Sequence, residues 1–125
     1  MKKWVVDCMN VVGSTPDGWW RDRKGAIRRL IEGLDAFAAS TGDEVTVVVD
    51  GRSFELEAEN VDVVFAPTRG RNAADDEIAR MVAAAPDPHA LTVVTSDREL
   101  VERVRAHGAE VVPARAFRSR LSGGA

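Results

Sequence analysis

The sequence predicts an α/β fold in which helices cover both faces of a central parallel sheet. Short apolar runs alternate with segments of helical periodicity along the chain. The apolar runs are continuous, which is typical of strands that are buried on both faces. A length of 125 residues with 45% hydrophobic content fits one domain with a core of ordinary size. We therefore expect a three-layer α/β/α domain over residues 1–114, followed by a basic, flexible tail over residues 115–125.

The first half of the chain contains three predicted strands and one predicted helix. Each strand is a run rich in valine, and Pro67 ends the third. The helix has apolar residues at helical spacing and ends at Gly42, a typical glycine at a helix C-terminus. The strands are expected at residues 3–7, 45–49 and 61–65, and the helix at residues 25–39.

The second half of the chain repeats this alternation. Ser96 and Glu99 form a capping-box pattern at the start of the last predicted helix, and Gly108 follows its end. The predicted elements are a helix at residues 75–84, a strand at 91–95, a helix at 96–107 and a strand at 111–112.

The order of these elements predicts where a site would form. If the first strand is central, strands two and three lie to one side of it and strands four and five to the other, in the order 3-2-1-4-5. Right-handed crossovers then put the topological switch between strands one and four. Open α/β sheets bind ligands at such a switch, beyond the carboxyl ends of the strands. We expect the functional site at that edge of the sheet.

Acidic residues gather at the same edge. Asp7 ends the first strand, Asp50 follows the second, and Asp97 follows the fourth. Asp75 and Asp76 open the helix after the third strand, on the same side. Crowded carboxylates have raised pKa values unless a cation neutralises them, and oxygen ligands without His or Cys suit Mg²⁺ or Mn²⁺. The cluster therefore predicts metal-assisted hydrolysis of a phosphodiester.

Each of these acids also has a purely structural explanation. Asp97 could charge the N-terminus of a helix, and Asp75 and Asp76 fit the first turn of any helix. Asp50 forms a common turn pair with the glycine after it. Asp7 is harder to explain in this way, because it interrupts a buried apolar run where an unpaired charge is costly. Their coincidence at one edge favours a functional cluster.

Three polar residues near the acids are further candidates. Asn10 is predicted to bond the Asp7 carboxylate or a phosphate, or else to form a turn as the chain leaves the strand. Thr95 and Ser96 could orient a metal-bound water or touch phosphate. Strand propensity for Thr95 and helix capping for Ser96 are the structural alternatives.

The loop after the first strand predicts an RNA contact, because two indole rings and three cations lie beside the expected site. Bases stack on indole rings while cations bind phosphates, as in proteins that read single-stranded RNA. Alternatively, one tryptophan packs over the first helix as a lid. In the loop after the third strand, Arg69 and Arg71 could contact the RNA backbone, but a solvated loop explains these two residues equally well. The predicted RNA contacts are Trp19, Trp20, Arg21, Arg23, Lys24, Arg69, Arg71, Ser96 and Arg98.

Composition excludes several other classes of protein. A net charge of -3 argues against binding nucleic acid through bulk charge. Cys8 is the single cysteine, which excludes an intramolecular disulfide and a zinc cage of thiolates. No segment approaches the ~20 apolar residues of a membrane span, so we expect a cytoplasmic protein without a membrane partner. The oligomeric state stays open between a monomer and a weak homodimer.

Four motifs, taken together and in this order, resemble those of NYN-domain proteins, specifically the YacP-like branch of the PIN-like nuclease superfamily. They are DCMNVVG at residues 7–13, VVDG at 48–51, ADDEI at 74–78 and VTSDR at 94–98. The resemblance covers about residues 3–113. It implies a PIN-like α/β/α fold and metal-dependent cleavage of RNA, with ribosome-linked decay of messenger RNA known in this branch.

The resemblance also implies roles for individual residues. The family's catalytic positions fall on Asp7, Asn10, Asp50, Asp75 and Asp97. Asp76 is an alternative to Asp75, because the doubled acid leaves the register open by one. The implied metal ligands are Asp7, Asp75 or Asp76, and Asp97. Cys8 stands where the family usually has glycine, which requires either a negative φ angle at this turn or some backbone strain close to the site.

We therefore expect a divalent-metal-dependent endoribonuclease that uses Mg²⁺ or Mn²⁺ and cleaves single-stranded or ribosome-associated RNA. The first alternative is a catalytically inactive PIN-like module that only binds RNA. A phosphotransfer domain of receiver or haloacid-dehalogenase type is a weaker alternative. It would need an acid where Met9 stands, or a lysine after a later strand, and no lysine follows Lys24.

Overall fold

The computed structural model of the chain describes residues 1–67, Gly70 and residues 72–123. Its five strands are β1 Lys3–Asp7, β2 Glu44–Val49, β3 Val61–Phe65, β4 Leu91–Val94 and β5 Glu110–Val112. Its helices are α1 Cys8–Val12, α2 Arg23–Thr41, α3 Ala73–Ala84, α4 Arg98–Arg105 and α5 Ala114–Gly123. Short 3₁₀ turns lie at Trp19–Arg21 and Pro88–Ala90.

The strands form one parallel sheet in the order β3-β2-β1-β4-β5, and helices flank it. The central strand β1 pairs with β2 on one side and with β4 on the other, where Val6 lies opposite Val94. The predicted α/β fold and strand order are confirmed. The switch in strand order lies between β1 and β4, so the C-terminal end of β1 faces the crevice in which such sheets bind ligands.

Side chains alternate between the two faces of the sheet and so build two core layers. Trp4 and Val6 of β1 pack into the larger layer with α2 and α5, whereas Val5 packs into the smaller layer with α3 and α4. By the same alternation, Asp7 shares the face of Val5. The carboxylate that ends the central strand is thereby placed on the side of α3.

The chain directly after β1 differs from the sequence prediction. Cys8 does not lie in a turn but begins the short helix α1, and it is completely buried. Among the described residues, positive φ angles occur only at glycines, so Cys8 has the negative φ angle and the alternative of backbone strain is not found. The helix forms because Val11 and Val12 are buried against the core. Burial also raises the pKa of the Cys8 thiol to about 12, which keeps it neutral.

The expected flexible tail is also wrong for residues 115–123, because Ala114–Gly123 form α5. Residues 124 and 125 lie outside the described residues. Ala114 and Phe117 are completely buried, and Leu121 packs against the same core layer. The spacing of these three residues places them on one helical face. Arg118 ties α5 to the rest of the chain by donating hydrogen bonds to the backbone oxygens of α1, at 3.1 Å from Val11 and 2.8 Å from Val12.

The other element boundaries lie within two residues of the predicted ones. The capping box at α4 is a third correction, because Asp97 rather than Ser96 caps this helix. Its Oδ1 accepts a hydrogen bond from the Leu100 backbone at 2.9 Å. The Ser96 hydroxyl instead accepts a hydrogen bond from the Ala114 backbone at 2.9 Å. Ser96 therefore connects the β4–α4 loop to the start of α5.

Candidate active site

Asp7 is the buried centre of the candidate site. It ends β1, is only 5% exposed, and accepts a hydrogen bond from the Thr95 hydroxyl at 2.9 Å. This bond and the nearby Asn10 backbone N–H favour the charged carboxylate. Burial nevertheless outweighs them and, together with the negative charges of Asp75 and Asp50, raises the pKa of Asp7 to about 7. A cation at this position would stabilise the ionised form.

The Thr95 hydroxyl joins Asp7 to Asp97. While it donates to Asp7, its oxygen accepts a hydrogen bond of 3.1 Å from the backbone N–H of Asp97. Asp97 uses Oδ1 to cap α4. The structural explanation for Asp97 is therefore confirmed, but a cap occupies one carboxylate oxygen and is compatible with metal binding through the other. Thr95 therefore connects two acids of the candidate site through its hydroxyl, in addition to its high strand propensity.

Asp75 approaches the same edge from α3. It is half-buried, and burial together with the negative charge of Asp97 raises its pKa to about 6, against the opposing influence of Arg103. Asp76 differs from its neighbour, because it is exposed and pairs with Arg103 at 2.9 Å. The geometry favours Asp75 over Asp76 as a member of the cluster.

Asp50 completes the cluster from the C-terminal end of β2. The Arg23 guanidinium donates a hydrogen bond of 2.6 Å to the Asp50 backbone oxygen and lies 3.5 Å from its carboxylate. Gly51 follows with a φ angle of 97°, which an L side chain rarely adopts, so the chain turns sharply here. Asp50 remains close enough for its charge to raise the pKa of Asp7.

The four acids fit a hard divalent cation by the chemistry of their donors, since all are carboxylates. Within residues 1–67, 70 and 72–123, however, no three His, Cys, Asp or Glu side chains stand close enough together to hold a metal ion by themselves. Mg²⁺ commonly binds through one or two carboxylates and completes its shell with water and substrate phosphates. The arrangement suits that mode of binding rather than a closed protein cage.

Asn10 supports the loop that carries Asp97. Its side-chain oxygen accepts a hydrogen bond of 2.7 Å from the Ser96 backbone, 86 residues further along the chain. The side chain therefore reaches the β4–α4 loop instead of the Asp7 carboxylate. Nothing in the local sequence indicated this long-range contact.

The two tryptophans of the loop after α1 have different environments. Trp19 is partly buried and packs against the larger core layer, which matches the alternative of a lid. Trp20 is 55% exposed and contacts Trp19 edge to face at a centroid distance of 5.9 Å. Trp20 is thus the ring that remains available to stack on a base.

The other side chains that were predicted to contact RNA also differ in their exposure. Arg21, Lys24 and Arg98 are exposed, as is Ser96, whereas Arg23 is partly buried in its contact with Asp50. Arg69 and Arg71 lie outside the described residues.

Of the helices that the structure describes, none has the length and apolar character that a bilayer crossing requires.

The family model of the YacP-like NYN domain matches residues 4–123. The chain belongs to the YacP-like NYN domain family. The resemblance of its motifs is thereby confirmed, and NYN domains are nuclease-type domains of the PIN-like superfamily, which generally use divalent metals. A comparison with the curated protein sequences finds no match.

Two crystal structures of Rae1 (YacP) from Bacillus subtilis resemble this NYN domain. A tryptophan-to-leucine mutant superposes with a TM-score of 0.80 at 25% identity, covering 98% of this chain and 76% of that one. The other structure superposes with a TM-score of 0.75 at 24% identity, covering 98% and 75%. The fold of the whole described chain is therefore that of YacP proteins.

Proposed function

We propose that this NYN domain is a cytoplasmic, divalent-metal-dependent endoribonuclease that cleaves single-stranded or ribosome-associated RNA and so contributes to messenger RNA decay. The observation that carries the proposal is the environment of Asp7. A carboxylate buried at the carboxyl edge of the sheet, with three further acids converging on that edge, is unfavourable unless a cation binds there. Family membership supports RNA as the substrate.

The proposed roles follow from the positions of the acids. Asp7, Asp75 and Asp97 would hold Mg²⁺ or Mn²⁺, and Asp76, paired with Arg103, is the weaker candidate for the position of Asp75. When bound, the ion would supply an activated water and stabilise the developing charge on phosphate.

The remaining polar residues would orient this machinery. Asp50 stands at the edge of the cluster, where it would position the attacking water and accept its proton. Asn10 holds the loop that bears Asp97 through its bond to Ser96. Thr95 fixes the Asp7 carboxylate, and its hydroxyl keeps Asp7 and Asp97 in one hydrogen-bonded unit.

The proposed RNA contacts are exposed aromatic and basic side chains. Trp20 would stack on a base, since its ring is exposed and Trp19 supports it from the core side. Arg21, Lys24 and Arg98 would contact phosphates. Because the whole chain is acidic, this local basic surface would confine RNA to the site rather than bind it generally.

A catalytically inactive RNA-binding module is the second candidate. It is favoured by one observation, the absence of three closely spaced metal ligands among the residues that the structure describes. The two functions differ in whether the carboxylates bind a metal ion, alone or together with RNA.

The deciding experiment is a calorimetric titration of Mn²⁺ into the wild-type protein and into the Asp7→Asn and Asp97→Asn variants. Asp62→Asn is the matched control, because Asp62 is exposed on β3. We expect wild type and control to bind the ion and both site variants to lose binding, with cleavage of an RNA oligonucleotide lost in parallel. If wild type binds no Mn²⁺ even with an uncleavable RNA analogue, the protein is an RNA-binding module.

A further inference from the structure

Two cations on α2 share one aromatic ring in the loop between β2 and β3. The Lys24 ammonium lies 5.4 Å from the centroid of Phe54, and the Arg28 guanidinium lies 5.3 Å from it. The ring is held by Phe65, which packs against it at 5.7 Å with an interplanar angle of 65°. We call Lys24, Arg28 and Phe54 the Phe54 platform.

The two cations of the platform form no close ion pair within the part of the chain that the structure describes. Lys24 and Arg28 are four residues apart on one helix, where like charges destabilise each other. Neither is among the described side chains that pair with an acid within 4.0 Å. Cation–π contact with Phe54 attracts each of them, but it adds no negative charge. An anion bound at the platform would relieve this repulsion.

The platform continues the candidate active site. Lys24 directly follows Arg23, whose guanidinium bonds the backbone oxygen of Asp50. The helix rises about 1.5 Å per residue, which places Arg28 about 6 Å further along its axis. The positive surface therefore begins at the carboxylate edge and leads away from it.

Negative charge borders the far side of the platform. Arg28 itself lines a hollow together with Glu32, Glu55 and Glu57. A polyanion on the platform would be repelled there and would remain on the side of Lys24 and Asp50. Lys24 and Arg28 together provide a narrow positive surface, one that suits the backbone of a single strand rather than a duplex.

We propose that the Phe54 platform binds phosphates of the single-stranded RNA that leads away from the cleaved bond. This inference rests on the proposed nuclease function, since it assigns a path to the same substrate. The ring of Phe54 positions the two cations, and the cations provide the affinity.

The test is binding of a fluorescent oligouridine, measured by anisotropy over a series of salt concentrations in EDTA, which prevents metal-dependent cleavage. The Lys24→Gln/Arg28→Gln double variant is compared with Arg29→Gln/Arg105→Gln, which changes the net charge equally at exposed positions. We expect the platform variant to bind several-fold more weakly. The slope of log affinity against log salt should fall by about 1.4, or about 0.7 for each of two lost phosphate contacts. The control pair should keep the wild-type slope.

A variant of the ring separates packing from charge. Phe54→Leu keeps both cations, so we expect a smaller loss of affinity and a salt slope close to that of the wild type. The inference is overturned if the platform variant binds like the control pair, or if the wild-type protein binds no oligouridine.

Cleavage in Mn²⁺, assayed separately, distinguishes the two proposals. If the platform variant loses binding but the wild type cleaves no RNA, the platform stands and the nuclease proposal fails. If the wild type cleaves RNA and the two double variants bind alike, the nuclease stands and the platform fails.

Discussion

Removing the buried charge of Asp7 is expected to stabilise the metal-free protein in a pH-dependent way. The pKa of this carboxyl rises from 3.8 to about 7 on folding, chiefly through burial. The folded state therefore holds the proton more tightly than the unfolded state. The stability that this proton provides is fully present below pH 3.8, falls as the pH rises, and is lost above about 7.

The size of the effect follows from the shift. Complete ionisation of Asp7 lowers the free energy of unfolding by about 4 kcal/mol relative to the fully protonated protein. About 2–3 kcal/mol of this loss should occur between pH 5 and pH 8. Asp7→Asn removes the charge and keeps an acceptor for the Thr95 hydroxyl. The Tm of this variant minus the Tm of wild type should therefore rise by about 10 °C between pH 5 and pH 8, since 1 kcal/mol shifts the Tm by about 4 °C.

The assay is thermal unfolding of both proteins in EDTA across the pH range, followed by circular dichroism. Asp75 titrates in both proteins, so its contribution largely cancels in the difference. The exposed Asp62→Asn variant should show a flat difference from wild type. Saturating Mn²⁺ should reverse the ranking by stabilising wild type alone. A difference between Asp7→Asn and wild type that does not change with pH would refute the burial of an ionised Asp7.

Three further predictions test single contacts. Asp75→Asn should abolish Mn²⁺ binding in calorimetry, whereas Asp76→Asn should retain it; the reverse result would shift the register by one residue. Thr95→Val leaves buried partners without a hydrogen bond and should cost about 1–3 kcal/mol in urea unfolding, whereas Thr95→Ser should cost far less. Phe117→Ala should cost about 3–5 kcal/mol in the same assay, with the exposed Arg115→Ala as control, and a neutral result would mean that α5 does not pack on the core.

Much of the fold could be predicted because its signals are local. Valine-rich runs marked the strands and glycines marked helix ends. With the first strand placed at the centre, the alternation gave the strand order, and the handedness of crossovers gave the position of the switch. The same rule brought Asp7 and Asp97 to one edge of the sheet. The missed elements also had signals: Ala114, Phe117 and Leu121 share a helical face, but the basic residues between them suggested a solvated tail.

The sequence by itself thus determined the topology, the family and the edge at which the acids converge, since periodicity and turn chemistry depend on neighbouring residues. Only the tertiary structure decided which groups meet. In the folded protein, Asp76 forms an ion pair with Arg103, Asn10 accepts a hydrogen bond from the Ser96 backbone, and Arg118 donates one to α1. These contacts join residues far apart in the chain, and they depend on the direction of each side chain and on the packing around it. The raised pKa of Asp7 has the same origin, because burial is a property of the assembled core.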